Sequence, residues 1–284
     1  MRDWQPYADI HGPDNTVSGT VLVWPALESP ALGGAREIVV YLPPSLGEDR
    51  SGRADGRRYP VLYFHDGQNV FDERTSYSGE WAADEALEQL AREGLEAIAV
   101  AVPNGGEARM DEYNPWRGRN TLDKGRPIVG GKGDAYLEWL VGSVKPLIDR
   151  SFPTRSDREA TGVIGSSMGG LISLYALIAH PQVFGLAGVL SPSLIWNRYE
   201  ILNQVEQGRL PEARIHLDMG GREWRGMTAH ARRLRDLLID KGWRDGHDLH
   251  YVEERYALHN EAAWARRLPD ALRFLLAELS TSGA

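Results

Sequence analysis

The stretch Ala160-Thr161-Gly162-Val163-Ile164-Gly165-Ser166-Ser167-Met168-Gly169-Gly170-Leu171 decides the fold. Its first five residues form an apolar run of strand length, and residues 171–179 carry a helical period. Strand therefore gives way to helix inside Gly165-x-Ser167-x-Gly169, a sharp turn that holds its serine in a strained conformation at the carboxyl end of a sheet. Glycines flank the serine because a side chain there would block the close return of the helix onto the strand. The helix start also brings free N–H groups and a positive dipole end beside the hydroxyl. That environment favours an oxyanion and points to acyl transfer; the plain alternative is a glycine-rich helix cap.

Outward from this turn, apolar runs alternate with helical periods in both directions. Residues 19–24 and 36–42 read as two strands of an antiparallel edge, and the polar run 47–58 as a surface loop. Residues 60–64 and 97–102 read as strands buried on both faces, with a helix over 81–91 between them. Leu137, Leu140, Val141, Val144, Leu147 and Ile148 mark a helix that Pro146 bends. Strands over 185–190, 215–218 and 249–252 and helices over 228–241 and 261–279 complete the pattern. The expectation is an α/β fold in one domain over 1–284: about eight strands in one mainly parallel sheet, helices on both faces.

Composition closes off other classes. With 42% hydrophobic and 25% charged residues in 284, the chain has enough apolar material for a large core and is not disordered. No apolar run reaches 18 residues, and the first residues lack a basic-then-apolar leader, so we expect a cytoplasmic protein with no membrane contact. The chain has no cysteine, which excludes disulfides, thiolate nucleophiles and cysteine-bound metal. A net charge of −8 without a basic stripe argues against nucleic acid. Nothing in the sequence calls for a cofactor, and nothing in it fixes an oligomeric state.

A serine at its free pKa is a weak nucleophile and needs a histidine base, itself oriented by an acid, in the chain order serine, acid, histidine. Of the histidines after Ser167, only His259 falls just past the last strand, at the start of the final helix. For the acid, Asp218-Met219-Gly220-Gly221-Arg222-Glu223 offers two carboxylates. Glu223 is favoured because the glycine turn can fold it back toward His259; Asp218, at the strand end, is the alternative. The oxyanion hole needs two backbone donors: Met168, which follows the serine, and Gln68 in His65-Asp66-Gly67-Gln68-Asn69, where glycine permits a close approach. A His65/Asp66 metal site has no supporting ligand spacing, so none is expected.

Taken together, His65-Asp66-Gly67-Gln68-Asn69, Gly165-Ser166-Ser167-Met168-Gly169-Gly170, Ser191-Pro192-Ser193 and His259-Asn260-Glu261-Ala262-Ala263-Trp264 resemble an esterase family of the α/β-hydrolase fold. That family includes enterochelin, feruloyl and acetyl-xylan esterases, S-formylglutathione hydrolase and the antigen 85 mycolyltransferases. The resemblance runs from about Val21 to Leu276 and implies Ser167 as nucleophile, His259 as base, and Gln68 and Met168 as oxyanion donors. It matches Gly220 and Glu223 to the acid's position, where many members carry Asp and some work without a well-placed acid.

Residues 104–132 lack periodicity and read as a substrate-loop insertion. In it Arg109 and Trp116, with Trp196 elsewhere, are candidates to bind an anionic or aromatic ester group; the plain reading pairs Arg109 with Glu112 and packs Trp116 inward. The expected partner is a small-molecule ester: a siderophore, hydroxycinnamoyl or acetylated-sugar ester. An acyltransferase on the same residues, or a non-catalytic binding module, are the competing readings.

Overall fold

The computed structural model describes residues 3–46, 56–119, 125 and 128–279. Most of the 47–58 loop expected from sequence, and part of the 104–132 insertion, lie outside them. In chain order the strands are β1 (Gln5–Pro6), β2 (Thr20–Glu28), β3 (Ala35–Leu42), β4 (Val61–His65), β5 (Ile98–Val102), β6 (Gly118–Arg119), β7 (Ile128–Val129), β8 (Thr161–Ser166), β9 (Leu186–Leu190), β10 (Arg214–Gly220) and β11 (Leu249–Glu254). The α-helices are α1 (Tyr7–His11), α2 (Ala83–Arg92), α3 (Arg109–Glu112), α4 (Gly133–Trp139), α5 (Lys145–Ser151), α6 (Met168–Ala179), α7 (Trp196–Glu206), α8 (Met227–Asp240) and α9 (Glu261–Leu276).

The main sheet has nine strands in the order β1-β2-β3-β5-β4-β8-β9-β10-β11. The first three joins are antiparallel and the remaining five parallel. The extra strand beyond the eight expected is the two-residue β1, too short to leave a pattern in the sequence. Strand alternation sends side chains to two apolar layers. Val61 and Tyr63 of β4 join Val100, Val163 and Val189 under α4, α5 and α6, whereas Leu62 and Phe64 join Ile164 and Leu190 under α2 and α9. This double burial is why these strands read as continuous apolar runs.

The helix expected around Pro146 is divided into α4 and α5 by a segment just before that residue. Pro146 lacks an N–H to donate back along the helix, and the turns just before it widen to π geometry over Leu140–Val144, where the Lys145 N–H reaches the Leu140 carbonyl. Because the central strands run parallel, their carboxyl ends open on one edge, and the loops there carry Asp66, Ser167, Ser191, Glu223 and His259.

Candidate active site

Ser167 joins β8 to α6 at φ 59° and ψ −117°, a conformation that L-residues rarely adopt. Steric need for Gly165 is direct: a Cβ there would lie 2.6 Å from the Gly169 carbonyl carbon. Gly170, not singled out in the sequence, is equally constrained, since its Cβ would meet the Leu190 carbonyl oxygen at 2.9 Å. The Ser167 hydroxyl lies 3.3 Å from that of Ser193, which is held by its own N–H donating to the Ser167 carbonyl at 2.9 Å. Ser167 caps the 12-residue α6, so its side chain stands at the positive end of that dipole.

His259 lies between β11 and α9. Its Nδ1 is 2.7 Å from Glu223 Oε2. A neutral imidazole donating from Nδ1 keeps its lone pair on Nε2, the tautomer a proton acceptor needs. Trp224 tilts against the His259 ring at 4.4 Å between centroids, and Trp264 meets it edge-on at 5.0 Å. No hydrogen bond joins Ser167 to His259 among the described residues; such bonds are often long without substrate and tighten on binding.

The two candidate acids part company. The Glu223 side chain is buried and accepts from the Gly220 N–H at 2.7 Å and the Ser191 hydroxyl at 2.5 Å through Oε1, which leaves Oε2 for His259. Asp218 is engaged elsewhere. Arg267 donates to it from Nε at 2.9 Å and Nη2 at 3.1 Å, and the Ser191 N–H adds a third bond at 3.1 Å. Burial alone would raise the Asp218 carboxyl, but its bond to His216 and the Arg267 charge hold it below the usual range.

The loop after β4 is built for close approach. A Cβ on Gly67 would sit 2.5 Å from the Val102 amide nitrogen. Asp66, at φ 56°, precedes it and is fixed by Arg109 at 2.6 and 2.8 Å and by Asn104 at 2.6 Å. Among the described residues no hydrogen bond uses the N–H of Gln68 or of Met168. Beneath them His65 is buried with Nδ1 2.8 Å from the Tyr136 hydroxyl, and burial pushes its pKa down to about 4. Asp66 is thus engaged by Arg109 and Asn104 and His65 Nδ1 by Tyr136, while the buried His65 Nε2 has no hydrogen-bond partner.

The 104–132 residues expected to meet substrate mostly serve the scaffold. Arg109 pairs with Asp66 and not with Glu112; Glu112 instead meets Arg36 in a buried bidentate pair. Trp116 packs edge-on to Tyr175 at 5.4 Å. Trp196 begins α7, where Asn197, Arg198 and Tyr199 turn left-handed, and its buried Nε1 has no hydrogen-bond partner. What the sequence reading passed over is Ser191 and Arg267; the first lay inside a quoted motif, and the second falls three residues after Trp264 on the same helix face. The one carboxylate group among the described residues able to share a cation is Glu80, Asp84 and Glu85, at the start of α2.

This edge belongs to a known class of sheet: the topology is that of the α/β-hydrolase fold. The family model described as "Putative esterase" matches residues 29–275, so the chain belongs to that esterase family and is a carboxylic ester hydrolase. It is 27% identical to the uncharacterized protein YbbA of Bacillus subtilis over 249 residues, 85% of this chain and 93% of that one. It is 25% identical to a siderophore enterobactin esterase of Emericella nidulans, over 88% of this chain and 80% of that one. An IroE-like serine hydrolase from Shewanella oneidensis superposes with a TM-score of 0.70 at 21% identity, covering 89% of this chain and 79% of that one. No helix among the described residues is long and apolar enough to cross a membrane.

Proposed function

We propose that the chain, acting as a single domain, hydrolyses its ester through an acyl-enzyme on Ser167. The observation that carries this reading is the 2.7 Å contact of His259 Nδ1 with a buried Glu223 carboxylate, on the same edge as a left-handed serine. Ser167 Oγ attacks the ester carbonyl while His259 Nε2 takes its proton. The N–H groups of Gln68 and Met168 receive the developing oxyanion, and Glu223 stabilises the imidazolium. His259 returns the proton to the departing alcohol; water, activated by the same ring, then releases the acid.

The substrate is a small-molecule ester with an apolar or aromatic part. Tyr77, Ile128, Ile195, Trp224, Tyr256 and Leu258, six of the eight large apolar residues exposed among the described residues, lie in segments after the carboxyl ends of the strands. Arg222 and Arg255 both stack on Tyr256, adding positive charge to that rim. A siderophore ester, as in the name of the Emericella nidulans relative, fits such a rim, and so does a hydroxycinnamoyl ester. Trp224 and Trp196 are our candidates for contact; Arg109 and Trp116 support the loop. A cytoplasmic location remains part of this reading, checked by fractionation of cells expressing the chain.

The test is hydrolysis of a short p-nitrophenyl ester by the parent and by Ser167→Ala, with intact mass after fluorophosphonate treatment. Turnover and a single adduct, both lost in the variant, are expected. No turnover and no adduct would overturn the reading in favour of a binding module, and transfer to an added alcohol in place of water would make the protein an acyltransferase.

A further inference from the structure

Ser191 has no role in the scheme above, yet its hydroxyl makes three side-chain hydrogen bonds. It is fully buried at the end of β9 with φ 42°. A hydroxyl has one proton and two lone pairs. Trp264 Nε1 and Arg267 Nη2 each donate to Ser191 Oγ at 3.0 Å, and neither group can accept. Both lone pairs are thereby filled from α9, and the O–H has one direction left, the 2.5 Å bond to Glu223 Oε1. Arg267 is in turn fixed by its two bonds to Asp218. Glycine would adopt φ 42° without strain, so a side chain kept there at a conformational cost implies that the hydroxyl is used.

We propose that Ser191, held by Trp264 and Arg267, is the positioning residue of the active site: its O–H locks the Glu223 carboxylate in the orientation that presents Oε2 to His259. This deepens the proposed acyl-enzyme reading and rests on it. The charged groups facing Glu223 are His259 at 2.7 Å and Arg267 at 3.9 Å, with Asp218 and Glu254 behind Arg267. Without the Ser191 hydroxyl the carboxylate keeps one donor on Oε1, the Gly220 N–H, and gains rotational freedom about its terminal bond.

Ser191→Ala and Ser191→Gly test this together, assayed on p-nitrophenyl butyrate with thermal unfolding and proton NMR alongside. Glycine removes the hydroxyl and also releases the left-handed strain, so the pair separates folding from positioning. The expected result is a kcat lowered roughly 10- to 100-fold in both variants with KM within about twofold. The downfield His259 Nδ1–H resonance, identified by its loss in Glu223→Gln, is expected to move upfield in both. A folded variant with kcat within about twofold of the parent, a change confined to KM, or an unmoved resonance would overturn the inference, as would failure of both variants to fold. Fluorophosphonate labelling of Ser167 in the parent separates the two readings. If labelling fails, the acyl-enzyme reading falls; if labelling holds and the Ser191 variants stay active, only the positioning role falls.

Discussion

The two ends of the parallel strands solve the same problem of turning the chain in opposite ways. At the carboxyl ends, all seven non-glycine residues with positive φ among the described residues are found: Asp66, Ala82, Ser167, Ser191, Asn197, Arg198 and Tyr199. At the amino ends, the left-handed positions are all glycine, Gly56, Gly94, Gly208, Gly242 and Gly246, whereas the carboxyl ends carry Gly79, Gly106, Gly130, Gly131 and Gly226 beside those seven. Glycine takes these angles without a Cβ clash, whereas an ordinary residue is held there at a cost of about 1–2 kcal/mol. One edge is relaxed and the other is kept under strain by its packing, which is where groups that must be aimed are expected.

The widest separation between the two edges is expected from Ser167→Ala, with kcat falling by at least about 10⁴-fold while the unfolding midpoint stays near that of the parent. Steady-state kinetics and a urea titration on one preparation check both halves. Next come the two acids. Glu223→Gln is expected to lower kcat by roughly 10³–10⁴-fold with little loss of stability. Asp218→Asn does the reverse: it takes from the buried Arg267 its doubly bonded charge partner, leaving Glu254 at 3.3 Å, and destabilises by about 3 kcal/mol, with a smaller loss of turnover per folded molecule. Equal kinetic losses in the two variants would erase the distinction between them.

A third test concerns protons at the strained edge. Asp84 is fully buried, its Oδ1 has no partner, and burial raises its carboxyl to about 9. The folded state therefore holds a proton that the unfolded state loses near pH 4, and stability falls as pH rises from about 4 to about 9. Asp84→Asn should stabilise by on the order of 1–3 kcal/mol at pH 8 and lose that advantage toward pH 4, as urea unfolding at the two pH values would reveal. The smallest effects belong to single turns. Gly242→Ala, at φ 107° with open space around its Cβ, is expected to cost about 1 kcal/mol and leave kcat unchanged. Ala82→Gly, at φ 51°, is expected to be neutral or stabilising by under about 1 kcal/mol, read from the same melts.

The sequence carried the sheet because strands buried on both faces cannot hide their apolar runs. It also carried Ser167 and the contact of His259 with Glu223, since a glycine-flanked turn and a position past the last strand are local signals. The choice between Glu223 and Asp218 rested on one glycine turn; Arg267, which engages Asp218, comes from a helix 49 residues away and leaves no local trace. The Arg109 pairing was misread for the same reason, because Asp66 lies 43 residues upstream while Glu112 is three residues away on one short helix. Ser191 needed three elements, β9, α9 and the loop after β10, to meet before its hydroxyl acquired a direction.

The insertion is closed at its own base. Asp111 and Asn114 accept from the backbone of Gly130, Gly131, Lys132 and Gly133, while Glu112 is bolted to Arg36 on β3. The paired strands β6 and β7 stand beyond this base, and the Arg117 carbonyl beside them accepts from Asn197 Nδ2 at 3.0 Å. In engineering terms this base is a splice point: a change of length beyond it is expected to be absorbed without transmitting a register change to the sheet.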